Sequence, residues 1–99
     1  MPVRFLADAK SEFADWEAWY EDKQDGPGAE FYAAAKATIA EIATHPFRFP
    51  KHGTGVRWCL VKRFPFAVIY DSRPQEVVIV AIMHTSRLPE YWRSRIAKK

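Results

Sequence analysis

Cysteine is almost absent from this sequence, which has only Cys59 among its 99 residues. A single cysteine excludes an intramolecular disulfide and a cysteine-rich zinc site, so the fold has to be held together by its core. No apolar stretch reaches the roughly 18 residues that a membrane-spanning helix needs. The charged and aromatic N-terminal segment also differs from a signal peptide. We therefore expect a cytoplasmic protein that does not associate with membranes.

Histidine is also scarce, and His45, His52 and His84 stand far apart in the sequence. Neither a glycine-rich phosphate-binding loop nor a Ser-His-Asp motif is present. We therefore predict no metal site and no cofactor. Cys59 lies in the middle of a strand pattern, where a small buried core residue is the expected role.

Apolar and aromatic residues are plentiful, at 48% and 15% of the chain, and they predict one domain over residues 1–99. Charge is distributed unevenly along the chain. Residues 1–45 hold nine acids and four bases, a balance of −5, whereas residues 46–99 hold three acids and eleven bases, a balance of +8; together they give the net +3. This asymmetry indicates either a basic face for an anionic partner or charges dispersed over a solvated surface.

Hydrophobic periodicity predicts the element order β-α-α-β-β-β. A first strand (residues 3–6) precedes a helix that begins at an Asp8 N-cap and carries the apolar stripe Ala9, Phe13, Trp16 and Tyr20. After a turn at residues 25–28, a second helix spans residues 29–44, with its inward side formed by Phe31, Ala35, Ile39 and Ile42. A loop (46–55), three strands (56–62, 66–70 and 77–83) and a basic tail (89–99) follow. The prediction is an α+β fold, in which a helical hairpin packs on one face of an antiparallel sheet.

Four segments of the chain, taken together and in this order, resemble the RelE/ParE superfamily of toxins from bacterial type II toxin–antitoxin (plasmid stabilisation) systems. They are Trp19-Tyr20-Glu21, the string IATHPFRFP at residues 42–50, the segment 55–66, and the string HTSRLPEYW at residues 84–92. The resemblance covers nearly the whole chain, and the fold of the family agrees with the predicted element order. It implies a toxin that inhibits growth and is neutralised by a cognate acidic antitoxin, with which it can form a hetero-oligomer.

The resemblance implies two targets: DNA gyrase, which the ParE branch poisons without hydrolysis, or ribosome-bound mRNA, which the RelE branch cleaves. RelE-like ribonucleases carry two lysines and an arginine at positions that match Trp58, Leu60 and Ala67, all apolar here. Arg87 and Tyr91 match the remaining two family positions. The lost cations disfavour RNA cleavage, because each group of this kind contributes about 2.7–4 kcal/mol to transition-state stabilisation. The sequence therefore favours a ParE-like toxin.

Two alternatives stay open. A ribonuclease could use a rearranged site, with His84 as the base beside Arg87 and Tyr91, although His84 could equally be the polar end of a buried strand. The chain could also be a non-catalytic relic of the fold that only binds.

The candidates for binding the antitoxin or the target are cationic and aromatic residues of the basic half. They are Arg57, Lys62, Arg63, Arg87, Tyr91, Trp92 and Arg93. Arginine beside aromatic residues is typical of binding hot spots. Two other interpretations remain: the cations on the strands could serve solubility, and Tyr91 and Trp92 could fold back over the core.

Overall fold

The computed structural model describes residues 1–23, 27–52, 55–87 and 91–96, which form a five-stranded sheet with two long helices. The strands are β1 (Val3–Phe5), β2 (Lys51–His52), β3 (Val56–Leu60), β4 (Phe66–Ser72) and β5 (Val77–His84). The helices are α1 (Ala7–Lys23), α2 (Pro27–Thr44) and α3 (Arg93–Ile96). The predicted α+β class and element order are confirmed. The structure adds the short strand β2 inside the predicted loop, while Asp25 and Gly26 of the predicted turn lie outside the described residues.

The strands lie in the order β1-β5-β4-β3-β2. Strands β3, β4 and β5 form the predicted antiparallel meander. Strand β1 instead runs parallel to β5, with Val3 opposite Val77 and Phe5 opposite Ile79, so the sheet is mixed rather than wholly antiparallel. The short sequence connections within the meander specify antiparallel neighbours, but β1 is joined to the rest through both helices and is free to take either direction.

The helical hairpin covers one face of the sheet, as predicted. Phe31 of α2 is fully buried at the centre of an aromatic cluster, with the rings of Tyr20, Phe64 and Phe66 at 5.0–5.5 Å from its own. The predicted inward residues of both helices belong to this core. Burial of such large aromatic side chains is the main source of stability in a domain of this size.

The C-terminal tail covers the opposite face of the sheet. Trp92 is 1% exposed and packs in a second core cluster with Val56, Ile69 and Met83. This second layer explains why β5 is apolar at every position from Val77 to Met83, since both of its faces are buried.

Glu12 of α1 fastens this tail to the sheet. Its carboxylate accepts hydrogen bonds from the Tyr91 hydroxyl at 2.7 Å and from the Arg95 guanidinium at 2.9 Å. It also accepts the backbone N–H of Ile82 in β5 at 3.0 Å, and Arg95 donates to the Val80 carbonyl at 3.1 Å. These two side chains therefore give hydrogen-bond partners to backbone groups of β5 that lie beyond the end of β1. Asp8 is not an N-cap, because α1 begins at Ala7.

Tyr70 ties β4 to the loop that follows α2. Its buried hydroxyl donates to the Pro46 carbonyl at 2.9 Å, and burial raises its pKa to about 12. We expect Tyr70→Phe to lower the free energy of unfolding by about 1–2 kcal/mol, because the carbonyl loses its partner. The unfolded state releases the phenol proton near pH 10, so stability falls as the pH rises from about 10 to 12. Urea titrations at pH 7 and pH 10.5 would measure both effects, with the exposed Tyr32→Phe as the control; equal losses for both variants would contradict the prediction.

Candidate functional site

Three of the predicted binding cations lie at one end of the sheet, which we call the turn end. Lys62 and Arg63 belong to the turn between β3 and β4, and Arg87 to the turn after β5. The two turns are neighbours, because the Thr85 N–H donates to the Pro65 carbonyl at 2.8 Å. All three cations are exposed, and none has an acidic partner in the part of the chain that the structure describes.

Three other cations of the basic half are paired with acids. Arg95 binds Glu12, and Arg73 binds both Asp71 at 3.1 Å and Glu76 at 3.3 Å. Arg48 pairs with Glu41. Part of the charge asymmetry along the sequence is therefore neutralised in the fold, which leaves the turn end as a local concentration of unpaired positive charge.

Arg57 lies apart from the turn end. It stands five residues before Lys62, or about 16 Å along an extended chain. Its guanidinium donates to the Phe49 carbonyl at 2.7 Å and to the Ser72 hydroxyl at 3.0 Å. These contacts hold the loop after α2 against the sheet, so the structure gives Arg57 a positioning role within the fold.

The binding candidates in the tail also differ, since some have a role within the fold and one is exposed. Trp92 is buried, and the Tyr91 hydroxyl is bound to Glu12, so both side chains fold back over the core. Burial and the hydrogen bond to Glu12 raise the pKa of Tyr91 well above its usual value. Arg93, at the start of α3, is exposed.

His84 packs at the turn end between two aromatic rings, Trp16 at 5.5 Å and Phe66 at 5.0 Å. Its Nδ1 accepts a hydrogen bond from the Ser86 backbone N–H at 3.1 Å, which favours the tautomer with the proton on Nε2. The Arg87 guanidinium stacks on the Tyr91 ring at 4.4 Å. With the Tyr91 phenol committed to Glu12, this group is better arranged for binding than for moving protons.

The positions that would carry ribonuclease cations have other roles in the fold. Trp58 stacks on His52 with ring centroids 4.4 Å apart, and Ala67 is fully buried in the second core cluster. Leu60 is 68% exposed at the edge of the sheet.

Trp19 is an exposed aromatic residue beside the turn end that the sequence did not single out for binding. It is 47% exposed, and its ring lies edge-on to Trp16 at 5.6 Å and to Tyr20 at 5.1 Å. Trp16 contacts His84, and Tyr20 contacts Phe64 of the β3–β4 turn. Helical spacing alone places Trp19 off the buried stripe, but only the fold places it next to both turns.

A groove runs between α2 and the outer edge of β3, and we call it the edge groove. Its volume is about 340 Å³, and its walls include Ala34, Ala37 and Thr38 of α2 together with Cys59, Leu60 and Lys62. It continues into a second cavity beside Trp58 and His52. Burial raises the pKa of the Cys59 thiol to about 11, so this side chain is an inert part of the wall.

Arg63, which also lines the edge groove, has a left-handed backbone with φ at 69°. This conformation costs a non-glycine residue about 1–2 kcal/mol. We expect Arg63→Gly to raise the free energy of unfolding by about 0.5–1 kcal/mol, because glycine removes the strain but adds flexibility to the unfolded chain. Thermal unfolding would measure the gain; Lys62→Gly, without the positive φ, should lose stability, and a loss for Arg63→Gly as well would contradict the prediction.

The described residues contain no helix that is both long and apolar enough to cross a bilayer. Nor do they bring three or more histidine, cysteine or acidic side chains together as metal ligands.

Residues 3–89 match the family model described as the ParE toxin of the type II toxin–antitoxin system parDE. The chain belongs to the ParE toxin family. A solved structure titled "Chromosomal ParDE TA system from P. aeruginosa" shares the fold of this ParE-family toxin with a TM-score of 0.75. Its sequence is 16% identical, and the match covers 87% of this chain and 97% of that one. The comparison with curated proteins gives no match.

Proposed function

We propose that this ParE-family toxin inhibits growth by binding and poisoning DNA gyrase, and that a cognate acidic antitoxin neutralises it in a hetero-oligomeric complex. The observation that carries the choice of target is the apolar character of Trp58, Leu60 and Ala67, where RelE-like ribonucleases hold cations. RNA cleavage through the 2′-hydroxyl needs a base, an acid and cations around the phosphate. The contacts of His84, Arg87 and Tyr91 supply no such set, so the toxin acts by binding.

The contact with the target is assigned to Trp19 and Arg87 at the turn end. An exposed tryptophan that packs edge-on against two half-buried aromatic residues, at the same end of the sheet as an arginine without an acidic partner, has the composition of a protein–protein hot spot. Nucleic acid would need several open ring faces for stacking, whereas Trp16, Tyr20 and His84 are each half-buried here. This favours a protein surface as the target.

Induced expression followed by mapping of DNA breaks and mRNA ends tests the choice of target. We expect gyrase-linked DNA breaks in cells and inhibition of supercoiling by purified gyrase when the toxin is added. Cleavage of mRNA at the ribosomal A site would contradict the proposal and favour a ribonuclease. Growth that continues unchanged would identify a binding relic.

Substitution of Trp19 tests the assigned surface. We expect Trp19→Ala to weaken gyrase inhibition at least about 30-fold, because hot-spot residues contribute 2 kcal/mol or more to binding. Tyr32→Ala is a matched control: Tyr32 is 43% exposed on α2 and has Lys36 near its ring at 5.9 Å, just as Trp19 has Lys23 at 5.2 Å. Equal inhibition by wild type and Trp19→Ala would contradict the assignment.

A further inference from the structure

A cavity of about 420 Å³ opens between β1 and the two long helices, and we call it the hairpin cavity. The rings of Phe5, Phe13 and Tyr32 follow one another along it in nearly parallel planes, with centroids 6.2 Å and then 5.4 Å apart. Tyr32 is 43% exposed, and Phe5 and Phe13 are only partly buried, so aromatic surface stays open to solvent here. The hairpin cavity shares no lining residue with the edge groove.

Three charged side chains line the hairpin cavity: Lys10 and Glu17 of α1, and Lys36 of α2. Within the described parts of the chain, none of them forms an ion pair. Lys10 and Glu17 are seven residues apart, close to two helical turns, so they lie on one face of α1 and about 10 Å apart along its axis. Ala14 lines the cavity between them. A face with opposite charges at its two ends becomes its own complement when it is turned end for end.

We propose that the hairpin cavity is the contact surface of a symmetric toxin dimer, in which α1 of each copy packs into the cavity of the other copy and the two α1 helices run antiparallel. A twofold axis near Ala14 places Lys10 of each copy beside Glu17 of the second copy, and this ion pair occurs twice. Lys36 adds to the same contact. Tyr32 stacks on Phe13, and Lys36 lies one turn further along α2, toward the Lys10 end of the antiparallel helix α1.

The charges of the cavity favour a second copy over a small ligand. An anionic molecule held by the two lysines would also meet the carboxylate of Glu17, and a cationic molecule would meet the lysines. A second copy brings a lysine to Glu17 and a carboxylate to the lysines at the same time. Burial of the exposed aromatic surface supplies the apolar part of such an interface.

The dimer leaves the other two surfaces accessible. Trp19, beside the turn end, lies near the C-terminal end of α1, so antiparallel α1 helices point the two turn ends in opposite directions. The edge groove lies on the other side of α2, between that helix and β3. The proposal therefore does not depend on the target of the toxin.

Reversal of each charge tests the arrangement in the toxin purified alone. Lys10→Glu sets two carboxylates against each other, Glu17→Lys sets two ammonium groups against each other, and the twofold axis makes either change act at both contacts. A mixture of the two variants restores opposite charges at both contacts, because one copy then carries two acids and the other two bases. Lys51→Glu and Asp15→Lys are the matched controls, since they make the same charge changes at exposed residues that do not line the cavity.

We expect the wild-type toxin to sediment as a dimer at about 100 µM, a concentration above the micromolar Kd of weak interfaces of standard size. Each reversal should weaken self-association at least about 30-fold, because it places like charges together, whereas each control should change it less than about 3-fold. The equimolar mixture of Lys10→Glu and Glu17→Lys should form a heterodimer within about 10-fold of the wild-type affinity. Circular dichroism identifies any variant that fails to fold. A monomeric wild type, equal losses in the controls, or folded variants that do not pair when mixed would overturn the proposal.

Discussion

Replacing Trp92 with alanine is expected to lower the free energy of unfolding by about 3–5 kcal/mol, the usual cost of truncating a large buried aromatic residue. Its side chain is 1% exposed, and it holds the tail against Val56, Ile69 and Met83. Urea denaturation followed by tryptophan fluorescence measures the loss.

Trp19→Ala is the control for this prediction, because it removes the same side chain from a position that is 47% exposed. It should cost about 1–2 kcal/mol, since only about half of this side chain is buried, compared with all of Trp92. Equal losses for the two variants would mean that the tail does not belong to the core. A large loss for Trp92→Ala would also show that reduced toxicity of this variant reflects unfolding rather than a lost contact with a partner.

Replacing Glu12 with alanine is expected to cost about 3–5 kcal/mol, because it removes the closer and more buried of the two carboxylates that Arg95 contacts. The second carboxylate, that of Asp8 at 3.6 Å, is 63% exposed and compensates only weakly. The Arg95 side chain is 15% exposed and that of Glu12 is 17% exposed, so water replaces little of the lost interaction. The Tyr91 hydroxyl and the Ile82 N–H lose their acceptor at the same time. In a domain of this size, each 1 kcal/mol lowers the melting temperature by about 4–8 °C, which calorimetry detects readily.

Asp15→Ala is the control on the same helix, since Asp15 is exposed and should cost less than about 0.5 kcal/mol. A double-mutant cycle with Arg95→Met separates the ion pair from the other bonds of Glu12. A loss below about 1 kcal/mol for Glu12→Ala would show that solvent satisfies these groups and that the tail is held by Trp92 alone.

The local part of the fold could be predicted from the sequence, because its signals lie within one helix or strand. The stripe from Ala9 to Tyr20 and the continuous apolar run of β5 both identify buried faces directly. The parallel pairing of β1 could not be predicted, since three residues carry no information about a distant neighbour. The position of the tail could not be predicted for the same reason, because Tyr91 binds a residue that lies 79 positions earlier in the chain, Glu12.

The candidate site, too, could be predicted from the sequence only in part. Charge counting identified Lys62, Arg63 and Arg87, but it could not distinguish them from Arg73 and Arg95, whose acidic partners are brought close by the fold. The strand pattern included Leu60 but gave no sign that β2 stops before reaching it. The resemblance to a toxin family supplied the class of function, which the family match over residues 3–89 then confirmed.

The pairing of Val3 with Val77 sets the order in which a newly made molecule can be completed. The first strand has to wait for its neighbour until both long helices and three further strands have been translated. The tail, which is held beside the part of the β5 edge that β1 does not reach, is translated later still. A chain that stops short of β5 and the tail therefore lacks both closures, and the sheet is complete only once the tail has been made.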